Sequence, residues 1–318
     1  MPTTKVIFYT PPEVHLLDIC GPAHIFYEAR EYGADLTLHY IATDHHTNLN
    51  SSGGLAFTGL TPYQDLALSK DDILFIPGLQ WELLSRNDFQ DGLQPFFQWM
   101  ITQHAKGVTI CSVCTGAFLV AGSGLLDEAQ CTTHWRYVDR FRAKFPRVQL
   151  LDNRLFVEDK GIYTSAGVSS GIDLALYLLE LRYGSRFASD IAREVVVYLR
   201  RGEDDPQLSV FLKYRNHQES RVHEVQNWLS QHLANVPKID ELADKVCTSP
   251  RNLTRLFKKV TGITVGEYIE NLRIETAIHL LSEGNKVEAV ARETGLKSAN
   301  RLREILKRHT GKLPRAFQ

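Results

Sequence analysis

Cys114 stands where one apolar run ends and another begins, in Val108-Thr-Ile-Cys-Ser-Val-Cys114-Thr-Gly-Ala-Phe-Leu-Val-Ala121. The pattern reads as a buried strand, a sharp turn and a helix. A thiol at such a turn is expected to be exposed at the top of a sheet, where the helix N-terminus favours its thiolate. The backbone N–H of Thr115 would face an oxyanion formed beside it, and Gly116 would let strand and helix approach closely. Three further segments could complete a site. Leu16-Leu-Asp18-Ile-Cys-Gly21-Pro22 puts a carboxylate at the start of a helix, Ile76-Pro77-Gly78-Leu79 ends a buried strand, and Thr132-Thr-His134-Trp135 follows the elbow helix. Asp18 or His134 could serve as acid or base to a cysteine nucleophile. The same groups could line a binding pocket without turnover, and Cys114 could equally be a small apolar filler in a tight turn.

Cys111-x-x-Cys114 with Cys131-x-x-His134 copies a zinc spacing. Cys111, however, belongs to a buried strand whose side chains alternate, whereas zinc ribbons offer their ligands from short knuckles. No metal and no other cofactor is expected. Five widely spaced cysteines do not suit a secreted disulfide scaffold.

A second kind of chemistry lies in the last hundred residues, where one helical unit occurs twice. Ser249-Pro-Arg-Asn-Leu-Thr-Arg-Leu-Phe-Lys-Lys-Val-Thr-Gly262 reappears as Ser298-Ala-Asn-Arg-Leu-Arg-Glu-Ile-Leu-Lys-Arg-His-Thr-Gly311. Each unit has a Ser N-cap, an apolar face of helical period, a basic outer face and a closing Gly. With the short helix Asp240–Val246 before the first and Glu288–Glu293 before the second, this is a helix-turn-helix twice over, joined by a long helix over Val265–Leu281. Two such helices could enter successive major-groove faces about 34 Å apart. Arg251, Thr254, Arg255, Asn300, Arg301 and Arg303 are the candidates for base edges. Lys258, Lys259, Lys307, Arg308 and Lys312 suit phosphates. Glu304 also faces outward, so the two heads need not read the same bases.

The elements that must position these groups fall into two parts. Over the first 200 residues, strand-like runs (Lys5–Tyr9, Leu36–Ile41, Ile73–Ile76, Val108–Val113) alternate with helical ones (Leu16–Glu31, Gly92–His104, Thr115–Ala121, Trp135–Lys144, Ser170–Leu181). Val148–Leu151, Leu155–Val157 and Ile162–Ser165 read as further strands, and Arg186–Arg200 as a closing helix. The expectation is an α/β domain, a parallel sheet flanked by helices, over residues 1–200. Polar residues broken by Gly and Pro suggest a linker over 201–220. An all-α domain is expected over 221–318. Residues 215–318 hold 18 Lys/Arg against 12 Asp/Glu, net +6, while the rest holds 18 against 25, net −7. A basic module on an acidic body is the footprint of nucleic-acid binding. With 318 residues, 43% apolar and 23% charged, the composition is that of a soluble globular chain. No run approaches the roughly 18 to 20 apolar residues that span a bilayer, and the N-terminus lacks a signal-peptide core. A cytoplasmic protein without a membrane partner is expected.

Residues 222–318 resemble the DNA-binding domain of the AraC/XylS transcription regulators. They depart from it at Gly295-Leu296, where an aromatic usually follows the Gly, and at Leu313-Pro-Arg-Ala-Phe317, in place of Pro-x-x-Tyr-Arg. Residues 5–200 resemble the PfpI/ThiJ-like domains of the class I glutamine-amidotransferase-like superfamily, a flavodoxin-like fold, especially the branch fused to AraC-type domains. That resemblance puts Cys114 at the nucleophile position and Asp18 at the paired acid. It puts Gly78, Leu79 and Thr115 on the oxyanion-side turns, with His134 and Trp135 near the pocket; a second Gly is common where Leu79 stands. It implies a transcription regulator whose first domain senses a small-molecule effector and whose second binds double-stranded DNA. The first domain is also expected to form a homodimer, because a subunit with two reading heads often gains selectivity from a second. The alternative is a cysteine-dependent hydrolase or hydratase acting through Cys114 with a DNA-binding tail.

Overall fold

The computed structural model describes residues 3–43, 48–152, 154–197, 209–215, 217–282 and 284–317. The chain divides into two compact units, 1–207 and 208–318. The expected linker 201–220 lies outside the described residues over 201–208, as do the last residues of the expected helix Arg186–Arg200. The remainder of that linker span belongs to the second unit.

The first unit runs β1 (Thr4–Tyr9), α1 (Leu16–Glu31), β2 (Leu36–Ala42), β3 (Asn48–Asn50), β4 (Ala56–Thr58), β5 (Thr61–Pro62), β6 (Ile73–Ile76), α2 (Trp81–Leu84), α3 (Asn87–Gly92), α4 (Gln94–Ala105), β7 (Thr109–Val113), α5 (Gly116–Gly122), β8 (Gln130–Cys131), α6 (Val138–Lys144), β9 (Gln149–Leu150), β10 (Phe156–Asp159), β11 (Ile162–Ser165), α7 (Ser170–Tyr183) and α8 (Ser185–Glu194). Seven strands form one sheet in the order β10-β11-β7-β6-β1-β2-β5, parallel throughout except for the β10–β11 pair. Strand alternation sends successive side chains to opposite faces. Val6, Phe8, Phe75, Cys111 and Val113 pack on the side of α1, α7 and α8. Ile7, Tyr9, Leu74, Ile76 and Ile110 pack with residues of α4, α5 and α6. A sheet buried on both faces explains why its strands read as continuous apolar runs.

The differences from expectation are local. The expected helix Gly92–His104 is α4, which starts at Gln94 because Pro95 opens it and lacks the N–H that would continue a preceding helix; Gly92 instead ends α3, which was not anticipated. The first turn of Trp135–Lys144 is 3-10, and β9 pairs with β8 in a separate ribbon. The β3–β4 hairpin was not anticipated.

The second unit consists of α9 (Val210–Tyr214), α10 (Ser220–Gln231), α11 (Ile239–Lys245), α12 (Pro250–Thr261), α13 (Val265–Ser282), α14 (Val287–Glu293) and α15 (Ala299–Thr310). The Ser249 hydroxyl accepts the Asn252 N–H at 3.3 Å and the Ser298 hydroxyl accepts the Arg301 N–H at 3.2 Å. Gly262 and Gly311 close the two helices in the left-handed conformation. Caps and stops therefore fall where the repeat puts them. α11 and α12 form the first helix-turn-helix, α14 and α15 the second, and α13 joins them. Among the described residues no helix is long and apolar enough to cross a membrane.

Candidate functional site

The parallel strands β1, β6 and β7 end at the same edge of the sheet, the edge at which ligands bind in open α/β folds. Cys114 follows β7 with φ 60°, and its N–H donates to the Ser165 carbonyl at 3.0 Å. A left-handed non-glycine residue is strained and needs surrounding structure to hold it. Gly116 supplies part of that structure: a Cβ there would overlap the Ile76 carbonyl oxygen, so α5 can press against the end of β6 only with Gly.

The elbow is closed rather than open. Cys114 is 4% exposed and Asp18 is wholly buried. Asp18 Oδ2 accepts the Gly78 N–H at 3.0 Å, and Oδ1 accepts the Val168 N–H at 3.2 Å. The Cys114 thiol also hydrogen-bonds to this carboxylate. Burial raises the Asp18 carboxyl to about 6, against the pull of the two amides and the thiol. Burial, and after it the Asp18 charge, push the Cys114 thiol well above its ordinary value; the facing Thr115 N–H does not offset them. The expectation of a thiolate favoured by the helix N-terminus therefore fails on desolvation.

The two amides on the β6 side are engaged. The Gly78 N–H is held by Asp18, and the Leu79 N–H donates to Thr115 Oγ1 at 3.1 Å, whose hydroxyl lies 3.2 Å from the Leu79 carbonyl. A Cβ on Gly78 would stand 2.5 Å from Asp18 Oδ2, which accounts for glycine at that turn. Asp18, Gly78, Leu79, Cys114 and Thr115 thus form one interlocked cluster.

His134 joins the cluster from its other side. A Cβ on Gly167 would be 2.7 Å from His134 Cδ2 and 3.2 Å from Cys114 Sγ, so ring and thiol share that glycine as a neighbour. His134 Nδ1 accepts the Arg136 N–H at 3.2 Å, which leaves its proton on Nε2 when neutral. Burial, Arg136 and His15 lower its pKa, so the ring is neutral at pH 7. Trp135 lies at the rim, 51% exposed, with ring centroid 5.5 Å from that of His134. Cys111 and Cys131 pack in separate cores. Among the described residues no group of three His, Cys, Asp or Glu side chains could hold a metal.

In the second unit Arg251, Thr254, Arg255, Lys258 and Lys259 of α12 are all exposed, as are Asn300, Arg301, Arg303, Lys307 and Arg308 of α15. Leu253 and Phe257, like Leu302, Ile305 and Leu306, are buried beneath them. The partners differ. Arg301 donates to Glu304 and Arg303 to the Asn300 side-chain carbonyl, both at 2.8 Å, while Arg308 and His309 share Glu270 Oε1 at 2.6 and 2.7 Å. On α12, among the described residues, Arg255 donates to Asn252 at 3.3 Å and the Thr254 hydroxyl to the Pro250 carbonyl at 2.8 Å. Arg251, Lys258 and Lys259 have no hydrogen bond or ion pair among the described residues.

The model of the DJ-1/PfpI family matches residues 4–181, and a helix-turn-helix domain model matches 242–318. The chain belongs to the DJ-1/PfpI family. Its helical unit is of the AraC type. The transcriptional regulator GbdR of Pseudomonas aeruginosa is 30% identical over 215 residues, 67% of this chain and 58% of GbdR. The chain therefore matches less than two thirds of that relative's length. The isonitrile hydratase of Pseudomonas putida is 28% identical over 176 residues, 55% of this chain and 71% of the hydratase. The crystal structure of an AraC family transcriptional regulator from Pseudomonas putida superposes with TM-score 0.52 at 17% identity, covering 60% of this chain and 99% of that one.

Within the DJ-1/PfpI unit, the sequence reading missed Gly167, Val168, His15 and Ser165. Val168 is β-branched yet sits at φ 40° and is 37% exposed, a strained position directly over Asp18. Its signal was available: Ser165-Ala-Gly-Val-Ser-Ser-Gly171 is a small-residue turn between a strand and a helix at the same edge of the sheet.

Proposed function

We propose that this chain is a cytoplasmic DNA-binding transcription regulator whose DJ-1/PfpI unit binds a small-molecule effector beside Cys114 and dimerises. Residues 1–200 serve as the sensor and 221–318 as the reader. The observation that carries the reading is the pair of capped helices with exposed cationic faces over buried apolar ones, in a unit of AraC type. Arg251, Thr254, Arg255, Asn300, Arg301 and Arg303 would approach base edges; Lys258, Lys259, Lys307 and Arg308 would approach phosphates. Asp18, Gly78, Leu79, Cys114, Thr115, His134 and Trp135 would form the effector site. The purified chain should bind promoter DNA with sequence preference and a steep salt dependence. Binding that ignores sequence would overturn the reading.

The closed elbow supports sensing over turnover. A nucleophilic thiol needs a depressed pKa or a free base, and amide donors aimed at the developing oxyanion. Here the thiol is pushed up and the amides of Gly78 and Leu79 are engaged. A second reading, a cysteine-dependent hydratase or hydrolase, draws on the Asp18–Cys114 contact and on the likeness to isonitrile hydratase. Isonitrile hydration by the wild type, lost in Cys114→Ala, would establish it; no turnover in the wild type would remove it.

Asp18 offers a check on the pocket itself. Its folded carboxyl, near 6, lies above the ordinary 3.8. Its stabilising contribution is therefore full below about 3.8 and lost as pH rises through about 6, at most about 3 kcal/mol. From pH 5 to 8 the melting temperature of the wild type should fall relative to that of Asp18→Asn. A constant difference would mean that Asp18 does not titrate in this range.

A further inference from the structure

The two helix-turn-helix halves have separate apolar cores. Val222, Leu229, Leu242, Leu253, Phe257 and Tyr268 belong to one, and Ile278, Leu281, Val290, Leu302, Ile305 and Leu306 to the other. They share only α13, which changes allegiance between Leu272 and Ile274. A single helix about 27 Å long is a poor guarantee of a fixed angle between two bodies hung on its ends.

The residue at the changeover is Arg273, and it faces a second crossing point. Its guanidinium Nη2 donates to the Leu233 carbonyl at 3.4 Å, in the turn Leu233–Asn235 that follows α10. From the other half, Gly295 arrives at the same place in the left-handed conformation, φ 69°. A Cβ on Gly295 would stand 2.7 Å from the carbonyl oxygens of both Leu233 and Ala234, and 2.8 Å from Arg273 Nη2. Two of those three neighbours are backbone and cannot swing aside. The turn of the second helix-turn-helix therefore lies directly on the end of α10, and only glycine fits there.

We infer that this seam between Gly295, Arg273 and the Leu233–Ala234 carbonyls locks the two recognition helices into one rigid reading unit and so fixes the half-site spacing the protein accepts. Gly295 and Arg273 are positioning residues: they act on DNA through α12 and α15 and need not touch it. The spacing part rests on the DNA-reading proposal above; the rigidity part does not.

The built-in control is that Gly262 and Gly311 are also left-handed, at φ 81° and 73°, with nothing within 4 Å of a Cβ. Alanine at those sites carries the same backbone strain without touching the seam. The test uses the full chain with Cys20→Ser and Cys247→Ser, spin-labelled at Asn252→Cys and Glu304→Cys and diluted into excess unlabelled chain so that only distances within one subunit are read. The distance distribution between labels should be single and narrow in this parent, and narrow again with Gly262→Ala or Gly311→Ala. Gly295→Ala should broaden it, and Arg273→Gln should too, which covers the case that Gly295→Ala fails to fold. A broad parent distribution, or broadening by Gly262→Ala as large as by Gly295→Ala, would overturn the inference. On a duplex obtained by in-vitro selection, inserting one base pair between half-sites shifts them by about 3.4 Å and turns them by roughly 34°. The unlabelled wild type should lose about tenfold or more in affinity. Gly295→Ala should lose about threefold or less from its own weaker optimum. Equal spacing sensitivity in both proteins would defeat the claim about spacing. Failure of the wild type to select any duplex would instead defeat the DNA-reading proposal, leaving the distance measurement to decide the seam.

Discussion

Helices α12 and α15 come from one repeat, yet they present their charge in different ways. On α12 the outward ridge carries Arg251 and Arg255 one turn apart, with Lys258 and Lys259 beyond and no acidic residue on the helix. At the positions of Arg251 and Arg255, α15 has Asn300 and Glu304. Glu304 takes Arg301 and Glu270 of α13 takes Arg308 and His309, while Arg303 leans on the neutral Asn300 side chain as Arg255 does on Asn252. Lys307 is left as the cation of α15 without such a partner among the described residues. Charge that is already paired must be unpaired before it meets a phosphate, and what it gains is reduced by what it gives up. On the proposed DNA-reading function, α12 would be the electrostatic anchor, and α15 the head whose contacts depend on a matching sequence.

The largest expected effect tests that division directly. Arg251→Gln with Arg255→Gln should weaken binding to a selected duplex by about a hundredfold or more and lower the salt slope by about 2, since each side chain meets DNA without first breaking an ion pair. Arg301→Gln with Arg303→Gln should weaken binding by about tenfold and lower the slope by less than about 1. Fluorescence anisotropy across a salt series measures both. Equal slopes for the two double variants would break the comparison.

The asymmetry shows which parts of the molecule a sequence can convey. The repeat was legible because its signals are local: a Ser cap, a helical period and a closing Gly, all within fourteen residues. The parallel sheet was legible for a similar reason, since strands buried on both faces read as plain apolar runs. Cys114, Asp18, Gly78 and Thr115 could be placed on their turns, and the fold does bring them together. Their chemistry could not be read. The Asp18 carboxylate is answered by Val168, 150 residues away, and the Leu79 amide by Thr115, 36 residues on. Pairing across such distances leaves no periodic trace. The same holds for Arg308, whose partner Glu270 lies 38 residues earlier on another helix. An exposed basic residue in a sequence looks available until the fold supplies its acid.

A smaller change should move the second helix toward the first. Glu304→Gln keeps an acceptor for Arg301 but deletes the one negative charge on the outer face of α15, so Arg301 is held less firmly. Affinity for unselected duplex should rise several-fold, with a slope steeper by up to about 0.9, while the ratio of selected to unselected binding falls. A fall in unselected binding would mean that Glu304 is not restraining a cation.

The smallest expected effect concerns Glu270. Burial opposes ionisation of its carboxyl, but His309 and Arg308 outweigh it, and the carboxyl sits below its ordinary value. Glu270→Gln keeps an acceptor in place and removes the charge, so Arg308 stays near its position but is less firmly held. The pair is partly exposed, and such pairs contribute at most about 1 kcal/mol, so the melting temperature should hardly move. DNA affinity should rise about two- to threefold at low salt, and the gain should vanish in Glu270→Gln with Arg308→Gln. That reversal separates the freeing of a phosphate-binding cation from a general loss of negative charge, because a general effect would survive removal of Arg308. If the gain persists in the double variant, Arg308 serves to tie α15 to α13 rather than to meet DNA, and Lys307 is left as the α15 cation without an acidic partner among the described residues.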